Sequence, residues 1–431
     1  MKKGNFRLVK LSIGVASVDE TGTDGFSVIE LTSSHLLELH YIEDITMSNC
    51  LVMIKINDTN NDPIQILNRL VGMEPVEVVW TDDATGVPEG NMIKQELVVY
   101  DVKDRVVKDG KQSSAMLYCV SIDAVRNSAT KISRRFGLGG GAKTHNMVED
   151  LIKGDLKSRK RIIVDNATTK LSFVSPYWDP YTIISWLAWR SIEEAGSGDK
   201  SAGYLFFENV DGYNFRSMDR LVQQRVSRII NVNLIEMGED QDPIEDSNND
   251  INIQGFTVSG TSDIFRGINL GSYASTTFTL DMKDFKYEEI PFFINDFYPT
   301  MKKLNERPLP SFYKKFGGKD LDGGRPTRIM SKVMDTAMYT EGTYTQDLTK
   351  QLSQSMIRNQ MFFNQSATFE YEGAQDLKVG QVVDVNKFNA RSGDKEEKIS
   401  GKYIIGKIYR QFVSERDMMS TRVTLYRDNL A

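Results

Sequence analysis

FGLGGGAKTH, residues Phe136 to His145, separates two kinds of protein. A glycine run closed by Lys-Thr outlines a phosphate-binding loop. There the glycines let backbone N–H groups curl around a phosphate, the lysine reaches the outer phosphates and the hydroxyl binds magnesium. That loop reads GxxxxGK[ST]. Aligned on Lys143-Thr144, Gly137 fills the first place, but Ala142 stands where the last glycine belongs. The approach, Asn127 to Arg135, is too polar for the buried parallel strand such a loop leaves. Ile162-Ile163-Val164-Asp165 imitates a strand ending in a magnesium-binding aspartate, yet no βαβ alternation surrounds it. The better reading is a glycine hinge between a β-rich opening and the first helix. Lys131, Arg134, Arg135 and Lys143 are then solvated linker charges, or hold an anion or a partner's acidic patch.

Upstream of the loop the pattern is all β. Glu38–Glu43, Leu51–Ile56, Val76–Trp80, Leu97–Val102 and Met116–Ile122 are short, β-rich and separated by turn-formers. In the last of these Met116, Tyr118, Val120 and Ile122 share a face. Lys10 interrupts the opening apolar run, which reads as a first strand rather than a signal peptide.

Downstream the period changes. Asn146 is expected to cap a helix with Glu149 at its third position and Val148, Leu151, Ile152 and Leu156 as its apolar stripe. Asp179 as N-cap, Pro180 at the first helical position and Gly196 beyond the end frame a second helix, with Trp186 and Trp189 in the core. Tyr204–Glu208 and Tyr213–Arg216 flank Asp211-Gly212 as a hairpin. Glu236 to Asp250 holds seven carboxylates and no Lys or Arg, a solvated loop. Asp246, Asn248 and Asp250 have calcium-loop spacing, but Ile251 and Thr257 replace the required Gly and Glu. A helix is expected within Asp347–Phe363, and four strands close the chain at Ser366–Tyr371, Gln381–Val385, Lys402–Tyr409 and Arg422–Tyr426.

The fold class is therefore α+β, two β modules of barrel or sandwich type bracketing a mixed α/β middle. The expected division is a first β domain over 1–132 and a middle domain over 133–245 that begins at the glycine hinge. The second β domain starts over 246–290, the middle domain continues over 291–364, and the second β domain finishes over 365–431.

Composition narrows function. The 431 residues, 40% hydrophobic and 26% charged, suffice for buried cores, and a net charge of −6 gives no bulk attraction to a polyanion. Two cysteines, Cys50 and Cys119, and three histidines, His35, His40 and His145, make neither a disulfide framework nor metal-ligand spacing. The chain is expected in a reducing cytosol, with no apolar window long enough for a membrane span. There is no GxSxG and no HExxH, so no catalytic residue, cofactor or metal is implied, and the chain is expected not to be an enzyme.

Three stretches together resemble the central hub proteins of contractile-tailed bacteriophage baseplates. They are YIEDITMSNCLVMIKIND followed by the GxE step Gly72–Glu74; the hairpin FFENVDGYNFRS; and LKVGQVVDV…KISGKYIIGKIYRQF…TRVTLYRDNL. The resemblance implies that the two β modules are tail-tube-like and that three chains form a homotrimeric ring. Such a ring joins the sixfold tail tube to a threefold spike or spike-lysozyme protein. Baseplate wedge proteins surround it, and a central channel admits DNA only in transit. It places the chain in the virion tail baseplate, made and assembled in the host cytoplasm, with no membrane insertion. Candidate interface residues are Asn57, Asp58 and Asp62 in one loop, Asp82 and Asp83 in the next, and Arg391 and Lys395 near the end; the alternative is that these are ordinary hairpin loops. Runner-up functions are a spike-base component of a related contractile injection or secretion machine, and a nucleotide-binding enzyme using Lys143 and Thr144.

Overall fold

A computed structural model describes residues 6–428 apart from 19–23, 60–65, 83–91, 109–111, 138–140, 195–202, 233–249, 254, 260–263, 272, 283–284, 300, 306–326, 335–353, 356–357, 374–375, 390–393 and 416–417. The first module holds β1 (Phe6–Val18), β2 (Asp24–Leu31), β3 (Leu36–Asp44), β4 (Leu51–Thr59), β5 (Pro75–Asp82), β6 (Ile93–Lys108) and β7 (Gln112–Ser121). They pair antiparallel in the order β3-β4-β7-β6-β5-β1-β2. Alternating Leu11, Ile13 and Val15, with Tyr41, Ile54, Val78 and Trp80, fill its core. On β7 the period-2 pattern holds, but the core takes Ala115, Leu117 and Cys119, and Met116, Tyr118 and Val120 lie on the half-buried face. The GxE step is a local device: Gly72 and Met73 both have positive φ, and Glu74 turns back to accept the Val71 and Gly72 N–H groups at 2.5 and 2.8 Å.

The middle segment opens with a helix the sequence reading missed, α1 (Ile122–Ala129), whose N-cap Ser121 accepts the Ala124 N–H. Then come β8 (Arg135–Phe136), β9 (Ala142–Lys143), α2 (Thr144–Asp150) with a π turn over Leu151–Asp155, β10 (Ile162–Val164), β11 (Lys170–Leu171), β12 (Phe173–Val174) and α3 (Pro180–Ala188). Hairpin β13 (Tyr204–Asn209) and β14 (Gly212–Ser217) and helix α4 (Met218–Val222) complete it. Two helix expectations are corrected. The N-cap of α2 is Lys143, and Asn146 lies inside the helix, although Val148, Leu151, Ile152 and Leu156 are all fully buried as its stripe. Asp179 caps α3 through the Thr182 N–H, but the helix stops at Ala188, so Trp189 is 42% exposed and only Trp186 packs against the core. Gly196 lies outside the described residues.

The rest of the chain contributes β15 (Val226–Val232), β16 (Asp250–Ile253), β17 (Phe256–Ser259), α5 (Ile264–Leu270), β18 (Ala274–Asp281), β19 (Tyr287–Phe293), α6 (Ile294–Phe297), β20 (Arg328–Met334), β21 (Gln365–Glu372), β22 (Val382–Lys387), β23 (Gly401–Val413) and β24 (Met418–Arg427). Within the expected Asp347–Phe363 helix, residues 354–355 and 358–362 are helical. Strands β18, β19 and β20 form a small separate sheet. The others extend the first module's sheet, because β23 pairs with β3. Early in β23, Ile404, Ile405 and Ile408 sit in one core; at its far end Phe412 stacks on Phe6 in the other, ring centroids 3.9 Å apart. Within the first of these stretches the register shifts at Gly406, where a Cβ would meet the Tyr426 ring at 2.0 Å. The fold is predominantly β, and its two β cores share one strand.

Candidate functional site

Where the hairpin turn meets both β cores, the chain buries an unusual amount of charge. Gly212 adopts φ +122°, and a Cβ there would lie 2.2 Å from the Arg161 carbonyl, so the turn accepts only glycine. The turn delivers the Val210 N–H to Glu43 Oε1 at 3.1 Å. Glu43 Oε1 also accepts the Tyr41 hydroxyl at 3.0 Å, and Oε2 accepts the Val379 N–H at 3.1 Å. Arg410 of β23 lies beside it, with Nη1 3.6 Å from Oε1 and Nη2 donating to the Leu377 carbonyl at 2.5 Å. Glu43 and Arg410 have no solvent exposure. One carboxylate thus ties β3, the hairpin, the 377–379 loop and β23.

A second buried carboxylate reinforces the joint. Glu208 Oε2 accepts the Cys50 N–H at 3.0 Å, and Oε1 pairs with the Lys160 ammonium. Burial pushes both Glu43 and Glu208 above the ordinary carboxylate value, opposed by Arg410 and Lys160 respectively. It also pushes the Cys119 thiol up to about 12, which removes thiolate reactivity there. On the rim, Asn209 donates to the Val379 carbonyl at 3.1 Å and Lys378 pairs with Asp211 at 2.8 Å.

The serine after the hairpin has a definite task. Ser217 caps α4, its N–H goes to Asp165 at 2.9 Å, and its hydroxyl goes to Glu193 at 2.9 Å. Arg216 and Arg220 neutralise this acid pair. At the chain's end Asp428 accepts the Leu304 N–H at 3.1 Å and pairs with the buried Arg358 at 2.9 Å. Arg427 forks onto Gln365 Oε1 and reaches the carbonyls of residues 398, 399 and 400. The closing Arg-Asp therefore seals the last module.

The glycine loop is built differently from a nucleotide site. β8 pairs antiparallel with β12, and β9 with β11, so no parallel strand leads into it. Gly137 has φ +73°, and a Cβ there would meet the Leu171 carbonyl at 2.1 Å. Lys143 pairs with Glu194 at 2.6 Å, and the buried Thr144 hydroxyl accepts from Ser191 at 2.7 Å, so both intended ligands are engaged within the chain. His145 Nδ1 accepts the Ala167 N–H at 2.9 Å, and burial with Lys143 nearby lowers its pKa.

Four of the seven sequence-derived interface residues fall among the described residues. Asn57 is half-buried on β4. Asp58 is buried and accepts the Leu67 N–H at 3.0 Å, so its carboxylate serves its own loop. Asp82 ends β5; Asp62, Asp83 and Arg391 lie outside the described residues. Lys395 is exposed, bridges to Phe388 and donates to Asn386 at 2.5 Å. Reasoning from loops missed Glu43, Glu208 and Arg410, because a charge flanked by strand residues reads as solvent-facing. Among the described residues no cluster of His, Cys, Asp or Glu is arranged to hold a metal, and no helix is long and apolar enough to cross a membrane.

With fold and joint in view, comparison with solved structures places the fold. The chain shares its fold with solved tail proteins. It superposes on the tail protein from Neisseria meningitidis MC58 with a TM-score of 0.55 at 10% identity, covering 99% of this chain and 98% of that one. The 43 kDa tail protein of prophage MuSo2 from Shewanella oneidensis matches with a TM-score of 0.52 at 9% identity, covering 97% and 98%. No family model matches the chain, nor does any curated protein.

Proposed function

We propose that the chain is the structural hub of a phage-type tail baseplate and not an enzyme. It is a homotrimer joining the sixfold tail tube to a threefold spike or spike-lysozyme protein, with wedge proteins around it and a channel for DNA ejection through its centre. The observation that carries this reading is end-to-end agreement of fold with the Neisseria and Shewanella tail proteins. The shared strand β23 supports it mechanically. Two β modules on one continuous strand, locked by buried Glu43 and Arg410, turn as one body. Two such modules per chain give a trimer six repeats, which is what matching a sixfold tube requires. The domain division follows the same reading, with tube-like modules over 1–132 and over 246–290 joined to 365–431, and the middle domain over 133–245 and 291–364. The virion baseplate is its location, after assembly in the host cytoplasm.

Imaging the purified chain, alone and with its tail tube protein, tests this. A threefold ring with an open centre and three times the monomer mass is expected. A chain that stays monomeric at high concentration and forms no ring with tube protein sinks the proposal. ATP turnover abolished by Lys143→Ala would replace it with the nucleotide-enzyme alternative.

A further inference from the structure

The chain's charge is unevenly distributed. From Arg126 to Arg161 there are ten Lys or Arg against three Asp or Glu, inside a chain of net charge −6. The structure gathers these residues. Arg126, at the end of α1, donates to the carbonyls of Leu156 and Lys157, both at 3.3 Å. Arg134 forks onto Asp155 at 2.7 Å through each terminal nitrogen and reaches Asp150 at 3.1 Å. Of the four residues suspected from sequence, three are already paired: Lys131 with Asp179, Lys143 with Glu194, and Arg134 with the two aspartates, while Arg135 donates to the Ser172 hydroxyl. Beside them Lys153, Lys157, Arg159 and Arg161 are exposed and form no ion pair among the described residues.

We propose that this basic surface, centred on Lys153, Lys157 and Arg159, docks the acidic run Glu236–Asp250 of a second copy of the chain. It rests on the self-assembly proposed above and adds the contact that closes neighbour onto neighbour. Two observations select this occupant. The run offers seven carboxylates without a compensating cation, opposite in sign to the surface. Arg134 already holds a carboxylate in a two-pronged fork at the surface's edge, so the geometry there suits acidic side chains. Long nucleic acid fits less well, since the remainder of the chain is strongly acidic.

The test uses a fluorescein-labelled peptide of residues 233–250, the full chain, and the exposed-residue variant Lys153→Glu/Lys157→Glu/Arg159→Glu, with circular dichroism to confirm that the variant folds. Anisotropy should show the peptide binding the wild-type chain at 50 mM salt. The variant should bind at least about tenfold more weakly, and 500 mM salt should abolish binding. Sedimentation should show wild-type self-association lost in the same variant, and equally when the acidic residues of 236–246 become Gln or Asn. Peptide binding that the variant retains overturns the proposal. So does self-association insensitive to both sets of changes, and so does a variant-sensitive duplex DNA oligomer where the peptide fails to bind. A ring that still forms with tube protein while the peptide fails leaves the hub reading standing and removes only this contact.

Discussion

At the glycine loop the middle segment is held by contacts that water can reach: Lys143 to Glu194, Arg134 to Asp155, Lys131 to Asp179. At the hairpin turn it is held by Glu43 and Arg410, neither exposed, and by Glu208 on Lys160 and Cys50. The sequence draws the eye to the first joint, because glycines and cations stand out there. Physics assigns the greater weight to the second. An exposed ion pair contributes at most about 1 kcal/mol, whereas removing one partner of a buried pair leaves a desolvated charge with nothing to offset it. The hairpin joint therefore sets how the β cores and the middle segment sit together, and the glycine loop accommodates it.

Glu43→Ala is the strongest attempt to break that contrast. It leaves Arg410 buried opposite a cavity and removes the acceptor of the Val210, Val379 and Tyr41 donors. A loss of about 3–5 kcal/mol is expected by denaturant unfolding, with Glu43→Leu/Arg410→Met losing less because no charge is stranded. If Glu43→Ala costs under about 1 kcal/mol, the two joints are alike and the contrast fails. Gly212→Ala probes the same joint through the backbone. With φ at +122° and the Arg161 carbonyl 2.2 Å from the new Cβ, about 2–3 kcal/mol should be lost. Hydrogen exchange should rise first at the Val210 and Val379 amides.

Much of the fold was legible because strand signals are local. All four closing strands, the Asp211-Gly212 hairpin and the Asp179-Pro180 helix start appear where period and turn chemistry put them. The failures have one cause, which is that a neighbour distant in sequence decided the outcome. Asn146 lost the capping position to Lys143, because β9 pairs with β11 up to that residue. Helix α3 ends at Ala188, where Ser191 turns back onto the Leu187 carbonyl and Thr144. β7 keeps Met116, Tyr118 and Val120 on one face as read, and its partners β4 and β6 decide that Ala115, Leu117 and Cys119 are the ones turned inward. The joint itself was least legible. Glu43 and Arg410 are far apart in the chain, and each reads as an ordinary strand charge until β23 is paired with β3.

The glycine joint should yield smaller effects, the first governed by pH. His145 must keep Nδ1 unprotonated to accept the Ala167 N–H, and burial together with Lys143 holds its pKa below the ordinary value against the pull of Glu194 and Glu149. Folding thus disfavours a second proton on this ring. Its contribution is intact above the unfolded histidine value and declines as pH falls through the depressed one. Unfolding free energy should drop by up to about 1 kcal/mol on acidification through that window, and His145→Gln should flatten the local slope.

Lys143→Ala should change least of all, although Lys143 is the residue that first suggested a phosphate site. Its ammonium meets only Glu194, and both side chains are about one-third exposed, at 32% and 39%. Solvent screens the attraction, and holding two long side chains in place costs entropy, so about 0.5 kcal/mol or less should be lost. Thr144 stays buried against Ser191 whether or not the lysine is present. Unfolding and sedimentation of the variant should therefore match the wild type within error. A loss approaching that of Glu43→Ala would reverse the order of the two joints and return the glycine loop to the centre of the protein's function.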